Sequence, residues 1–152
     1  MEHAPILFPK ILARRLDQVR NQPENSDRLR VLVDPEVGIF TRSPEFSNNR
    51  SFRVQKTSKP VSIADILKVH DFHYIEKVMA MRDTLVGTRN KTIGHFDGAD
   101  TPMSEKTWEA ALLAAGAAVE ACDAIMAGEA RNAFCAIKPP GHHAGIYGKT
   151  FH

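Results

Sequence analysis

The sequence predicts an α/β domain built on a parallel sheet, and three features near its C-terminal end carry that prediction. Residues 104–128 form a long alanine-rich segment that reads as one helix. A short loop, Glu129-Ala130-Arg131, follows. Then comes Ala133-Phe134-Cys135-Ala136-Ile137, an unbroken apolar run of the kind expected for a strand buried on both faces. Helix, short loop and apolar strand make half of an α/β unit. The strand runs into Pro139-Pro140-Gly141-His142-His143-Ala144, and in open α/β sheets ligand sites lie beyond the carboxyl ends of the strands.

With 152 residues, the chain has room for one domain with a substantial core. Its 43% apolar and 25% charged content is that of a soluble globular protein. Twenty Lys and Arg against 18 Asp and Glu give a net charge of +2. That balance provides no electrostatic footprint for direct nucleic-acid binding. No apolar run approaches the length of a membrane span. Cys122 and Cys135 are the only cysteines and form no CxxC pair. They read as small buried hydrophobes in a reducing, intracellular compartment, cytoplasmic or nuclear.

Residues 1–20 are expected to be an N-terminal helical segment. Pro9 can open a helix, and Ile11, Leu12, Leu16 and Val19 recur at near-helical spacing. The basic residues here also resemble a transit peptide, but Glu2 and Asp17 and the lack of serine favour an ordinary surface helix. The segment Asn21-Gln22-Pro23-Glu24 breaks it. Asn25 or Ser26 can then cap a short helix containing Leu29, Leu32 and Val33. Residues 34–60, rich in proline and polar residues, read as loop with at most a short strand at Phe52-Arg53-Val54.

Ser62 and Asp65 form a capping pair for Ile63 to Leu67, and Asp71 can cap a helix from Tyr74 to Met81. Residues 87–98 are irregular, punctuated by Gly94 and Gly98. Ser104 is the expected N-cap of the alanine-rich helix, with Glu105 in its first turn and Gly128 just past its end. The many alanines between permit close packing against a sheet or another helix.

His142 and His143 are the strongest candidates for chemistry, since imidazole is the side chain best suited to moving protons near neutral pH. Gly141 allows a backbone conformation or close approach that a Cβ would forbid, and the two prolines restrict the loop. In an extended segment adjacent side chains point apart, which gives the two rings different tasks. The alternative is a pair of buried, hydrogen-bonded histidines. His70 and His73, spaced i and i+3, are the other notable pair; on one helix face they could join His95, a tandem histidine or His152 around a metal.

Lys138-Pro139-Pro140-Gly141-His142-His143-Ala144 closely resembles the tandem-histidine motif of the histone deacetylase family. Three further segments resemble that family in order: Gln22-Pro23-Glu24-Asn25 through Arg28-Leu29, Val69-His70-Asp71 through Tyr74-Ile75, and Asp97-Gly98-Ala99-Asp100-Thr101. Gln22 stands where the family commonly has His, and Lys138 where it commonly has Arg. The resemblance implies the N-terminal part of an arginase/deacetylase-like three-layer fold, incomplete in this chain, spanning residues 21–152. It implies a zinc-dependent amidohydrolase acting on acetyl-lysine in histones or other proteins, or on an acetylated small molecule such as a polyamine. His143 resembles the general base and His142 its electrostatic partner. Arg28 resembles the arginine beside the cavity that receives acetate; the alternative is a surface helix arginine. Asp100 resembles the rim carboxylate that orients substrate; the alternative is a turn-capping aspartate.

The family's zinc ligands and its oxyanion-stabilising tyrosine follow the tandem histidines in sequence. The expectation is therefore a chain that carries the proton-transfer pair, no metal ligands of its own, and no activity by itself. A second expectation is a non-catalytic interaction module, or truncated product, that associates through an exposed sheet edge.

Overall fold

The computed structural model describes residues 4–7, 27–34, 36, 38–47, 52–55, 58–87, 94–96, 101–138, 141 and 144–148. In chain order the elements are β1 (Ala4–Leu7), α1 (Asp27–Val33), α2 (Ile39–Arg42), α3 (Pro44–Ser47), β2 (Phe52–Gln55), α4 (Ile63–Ile66), α5 (Phe72–Leu85), β3 (Gly94–His95), β4 (Pro102–Met103), α6 (Thr107–Met126) and β5 (Phe134–Cys135).

The main sheet is parallel, as the sequence predicts, with strand order β2-β1-β5. β1 is the middle strand: Ala4 to Leu7 register with Phe52 to Gln55 on one side, and Ile6 and Leu7 with Phe134 and Cys135 on the other. At residues 4–7 a strand stands where the expectation was a helical segment over residues 1–20. Ile6 and Leu7 follow a proline and show no helical period of their own, and two flanking strands satisfy their backbone. The helix expected after Pro9 lies outside the described residues, as do the caps proposed at Asn25 and Ser26.

Residues around β5 alternate between two apolar clusters, as strand geometry requires. Ala136 is buried with Leu29 of α1 and Ala110 of α6, against Phe52, Val54 and Phe40, and the Phe134 ring lies 5.7 Å from Phe40. Ala133, Cys135 and Ile137 pack against Ala117 and Ala121 of α6. Helices α1 and α6 thus both pack against the residues around β5. Phe134 is nonetheless 52% exposed. The expected fully buried strand is instead a short strand with one described neighbour, so its outer edge leaves that ring partly uncovered.

Helix α6 comes close to its surroundings because its inward face carries small residues. Ala110, Ala114, Gly116, Ala117 and Ala121 are buried along it. At Gly116 the chain leaving β2 crosses so near that a Cβ would lie 1.8 Å from the Lys59 carbonyl oxygen. That crossing is tied down by polar bonds. The Val61 N–H donates to the Leu112 carbonyl at 3.0 Å, and the Ser58 hydroxyl to the Leu113 carbonyl at 2.8 Å. Glu120 accepts from the Lys59 N–H and from the Gln55 amide, both at 3.1 Å. A third cluster joins α5 to α6 through Ile75, Leu85, Met103 and Trp108.

Most local signals act as read. The Ser62 hydroxyl accepts from the Asp65 N–H at the start of α4, and the Asp71 carboxylate from the His73 N–H at the start of α5. Gly128, at φ +73, closes α6. The Gly128 N–H donates to the Ile125 carbonyl and the Glu129 N–H to the Ala124 carbonyl, the two bonds of a Schellman motif. Ser104 is a correction. Its backbone N–H donates to the Thr107 hydroxyl at 2.9 Å, forming a tight turn that delays the helix to Thr107 and leaves Glu105 outside it. Residues 34–60, expected as loop, also hold α2 and α3, joined by edge-on contacts of Phe46 with Phe40 and Phe52.

Candidate functional site

The site is assembled at the start of α5. The segment Val69-His70-Asp71 ends the turn after α4, and Asp71 caps α5. From this corner three bonds and contacts reach the chain that follows the tandem histidines. The His70 Nδ1–H donates to the Gly145 carbonyl at 3.1 Å; a carbonyl oxygen only accepts, so this ring nitrogen carries the proton. The Asp71 N–H donates to the Ile146 carbonyl at 2.9 Å. The Tyr74 ring fills the space over Gly148, where a Cβ would sit 2.0 Å from the ring carbon Cε2.

Tyr74 also joins a second segment. Its ring centre is 5.4 Å from that of His70 and 5.8 Å from that of Phe96. Phe96 and Thr101 close a hairpin: β3 pairs antiparallel with β4, and the Phe96 N–H donates to the Thr101 carbonyl at 2.9 Å. Asp100 belongs in sequence to that hairpin's loop and itself lies outside the described residues. One aromatic side chain therefore gathers the segments flanking Asp100 and those following His143.

His142 and His143 likewise lie outside the described residues, and their flanks are well defined. The Ala144 N–H donates to the Gly141 carbonyl at 3.0 Å, a bond between the two described residues that flank them in sequence. Gly141 is exposed, and no described atom comes within 4 Å of a Cβ built on it. A positive φ together with a close approach occurs further along the same segment, at Gly148, whose φ is +74. Arg28 sits on α1 and is exposed, while neighbouring Leu29 is buried.

His70 and His73 do not share a helix face. His70 precedes α5 and its Nδ1 is engaged by Gly145, whereas His73 is exposed, 3.6 Å from Glu76. Among the described residues no three His, Cys, Asp or Glu side chains lie together in a way that holds a metal ion. The described part of the chain does not fit a zinc ion. Nearer the strand, burial pushes the Cys135 thiol above its ordinary value of 9.0, and Cys122 adds to the shift. Cys135 points its thiol at the Ala117 carbonyl, 3.7 Å away.

An α/β domain on a parallel sheet, with a loop that follows the end of strand β5 held against the start of α5, has the architecture of a strand-end site. The family model for the histone deacetylase domain matches residues 22–149, and the chain belongs to the histone deacetylase family. It is 36% identical over 121 residues to the histone deacetylase-like amidohydrolase of Pseudomonas aeruginosa, covering 80% of this chain and 27% of that protein. It is 33% identical over 129 residues to histone deacetylase 8 of Arabidopsis thaliana, covering 85% and 30%. The solved HD domain of HDA15 superposes with a TM-score of 0.75 at 21% identity, over 98% of this chain and 39% of that one. The fold is thus that of the arginase/deacetylase class, and the chain spans well under half the length of these relatives.

Sequence reasoning named His70 for its spacing from His73 and Tyr74 as a helix start, and both again through the resemblance, but missed Gly116, Glu120 and Gly148. For Gly148 the available signal was its place just beyond the histidine loop. For Gly116 it was a lone glycine in an otherwise alanine-rich helix.

Proposed function

We propose that this chain supplies the proton-transfer half of a zinc-dependent deacetylase that hydrolyses acetyl-lysine in histones or other proteins, or an acetylated small molecule. The family match carries the reading. It runs through the tandem-histidine motif and, at 22–149, through almost all of the chain beyond its first strand. His143 is the general base that takes a proton from the attacking water and returns one to the leaving amine. His142 is its electrostatic partner. Arg28 receives the acetate product, Asp100 orients the substrate backbone, and Gly141 positions the turn.

Zinc is the group the family resemblance implies. The inactivity of the 152-residue chain by itself is part of this proposal, its contribution being binding and proton transfer. The setting is intracellular, cytoplasmic or nuclear, with chromatin among the possible substrates; among the described residues no helix is long and apolar enough to cross a membrane.

A chimaera tests this reading. Residues 22–149 replace the matching segment of the Pseudomonas amidohydrolase, and acetate release from an acetyl-lysine peptide is measured. Activity that falls ~10²–10⁴-fold on His143→Ala supports the assignment. A folded chimaera indifferent to that substitution contradicts it.

A second reading, an interaction module derived from the same fold, is favoured by one observation: Phe134 on β5 is 52% exposed. Concentration-dependent association in sedimentation, abolished by Phe134→Lys, is its test.

A further inference from the structure

Between them, His70, Asp71 and Tyr74 contact three of the four residues Gly145 to Gly148. We infer that His70 is a positioning residue for the tandem-histidine turn, acting through the hydrogen bond from its Nδ1–H to the Gly145 carbonyl. This rests on the deacetylase reading for its catalytic meaning, though the clamp itself does not.

Three observations carry it. The bond is side chain to main chain, between a half-buried ring and a loop far along the chain, so helix geometry does not impose it. The backbone bond from Asp71 to Ile146 fixes the same two segments one residue further on, at 2.9 Å. The ring of Tyr74 then blocks the far end over Gly148. Only one residue separates Gly145 from His143, and the turn bond from Ala144 to Gly141 closes directly before it. The bond to Gly145 therefore ties the chain next to the tandem histidines to the start of α5.

Deleting the ring removes one donor from a half-buried carbonyl and loosens the turn. Asparagine is the informative replacement, because its side-chain amide places an N–H close to where the imidazole Nδ1–H sits.

The test is amide hydrogen exchange on the full 152-residue chain. In His70→Ala the Ala144 amide exchanges roughly fivefold to tenfold faster, as expected for losing one hydrogen bond, while the Ala117 amide within α6 is unchanged. His70→Asn restores much of the Ala144 protection. Equal loss at Ala144 and Ala117 marks His70 as a general stability residue and overturns the proposal. Unchanged exchange at Ala144, or no recovery with asparagine, overturns it too. In the active chimaera, His70→Ala lowers kcat with KM held, and His70→Asn recovers it. Faster Ala144 exchange in His70→Ala, recovered in His70→Asn, together with a chimaera whose activity ignores His143, contradicts the deacetylase reading and leaves the clamp standing.

Discussion

The ring of Tyr74 lies where a side chain on Gly148 would begin: a Cβ there would be 2.0 Å from Cε2 and 2.2 Å from Cδ2. Gly148 also holds φ at +74, a region that costs other residues about 1–3 kcal/mol. Gly148→Ala therefore lifts the loop off α5. Urea unfolding should show a loss of at least ~1 kcal/mol, and the Asp71 amide, which donates to Ile146, should lose protection. Unchanged stability and protection would show that the ring moves aside freely.

Gly116→Ala reverses the usual sign. In an exposed helix interior, alanine is favoured over glycine by roughly 0.5–1 kcal/mol. Here the new methyl meets the Lys59 carbonyl at 1.8 Å and the Val61 nitrogen at 2.9 Å, both main-chain atoms. They cannot rotate away as a side chain would. A net loss of about 1–3 kcal/mol is expected from overpacking, read as a lower thermal midpoint. A raised midpoint would contradict the close crossing.

The two thiols should react at different rates. Cys122 is exposed, whereas Cys135 is half-buried with its titration pushed upward by burial first and Cys122 second. Since the thiolate is the nucleophile, iodoacetamide at pH 8 should label Cys122 well before Cys135 in the folded chain and both alike in urea. Equal rates in the folded state would count against the packing of β5 on α6.

The cap on α4 is a small pH-sensitive element. Bonds from Lys68 and then from Ser62 hold the Asp65 carboxyl below its ordinary 3.8. With the folded-state value depressed, the stabilisation is present above 3.8 and is lost as pH falls through the lower, folded-state value. Ser62→Ala should raise the Asp65 midpoint in an NMR titration and weaken the helix start by about 1 kcal/mol. A midpoint that does not move would remove Ser62 from the cap.

What the sequence made legible was local. Ser62 with Asp65, Asp71 and Gly128 act within a few residues of themselves, so spacing alone exposes their roles. Ser104 was misread because Thr107, an equally good capping residue, takes the competing bond. β1 was hidden because Ile6 and Leu7 are too short a run to show a period, and strand partners far along the chain determine their conformation. Gly116 and Gly148 owe their importance to Lys59 and Tyr74, contacts that no local pattern displays. At the site, motif resemblance singled out His142, His143, His70 and Tyr74. Only the folded chain shows that the last two contact the segment that follows the first two.

The most direct measurement of the central claim is acetate release by the purified 152-residue chain, incubated with zinc and an acetyl-lysine peptide. The account, in which these residues provide the proton-transfer pair without a metal site, predicts release no faster than from zinc and buffer alone. Release above that background, disappearing on His143→Ala, would contradict it.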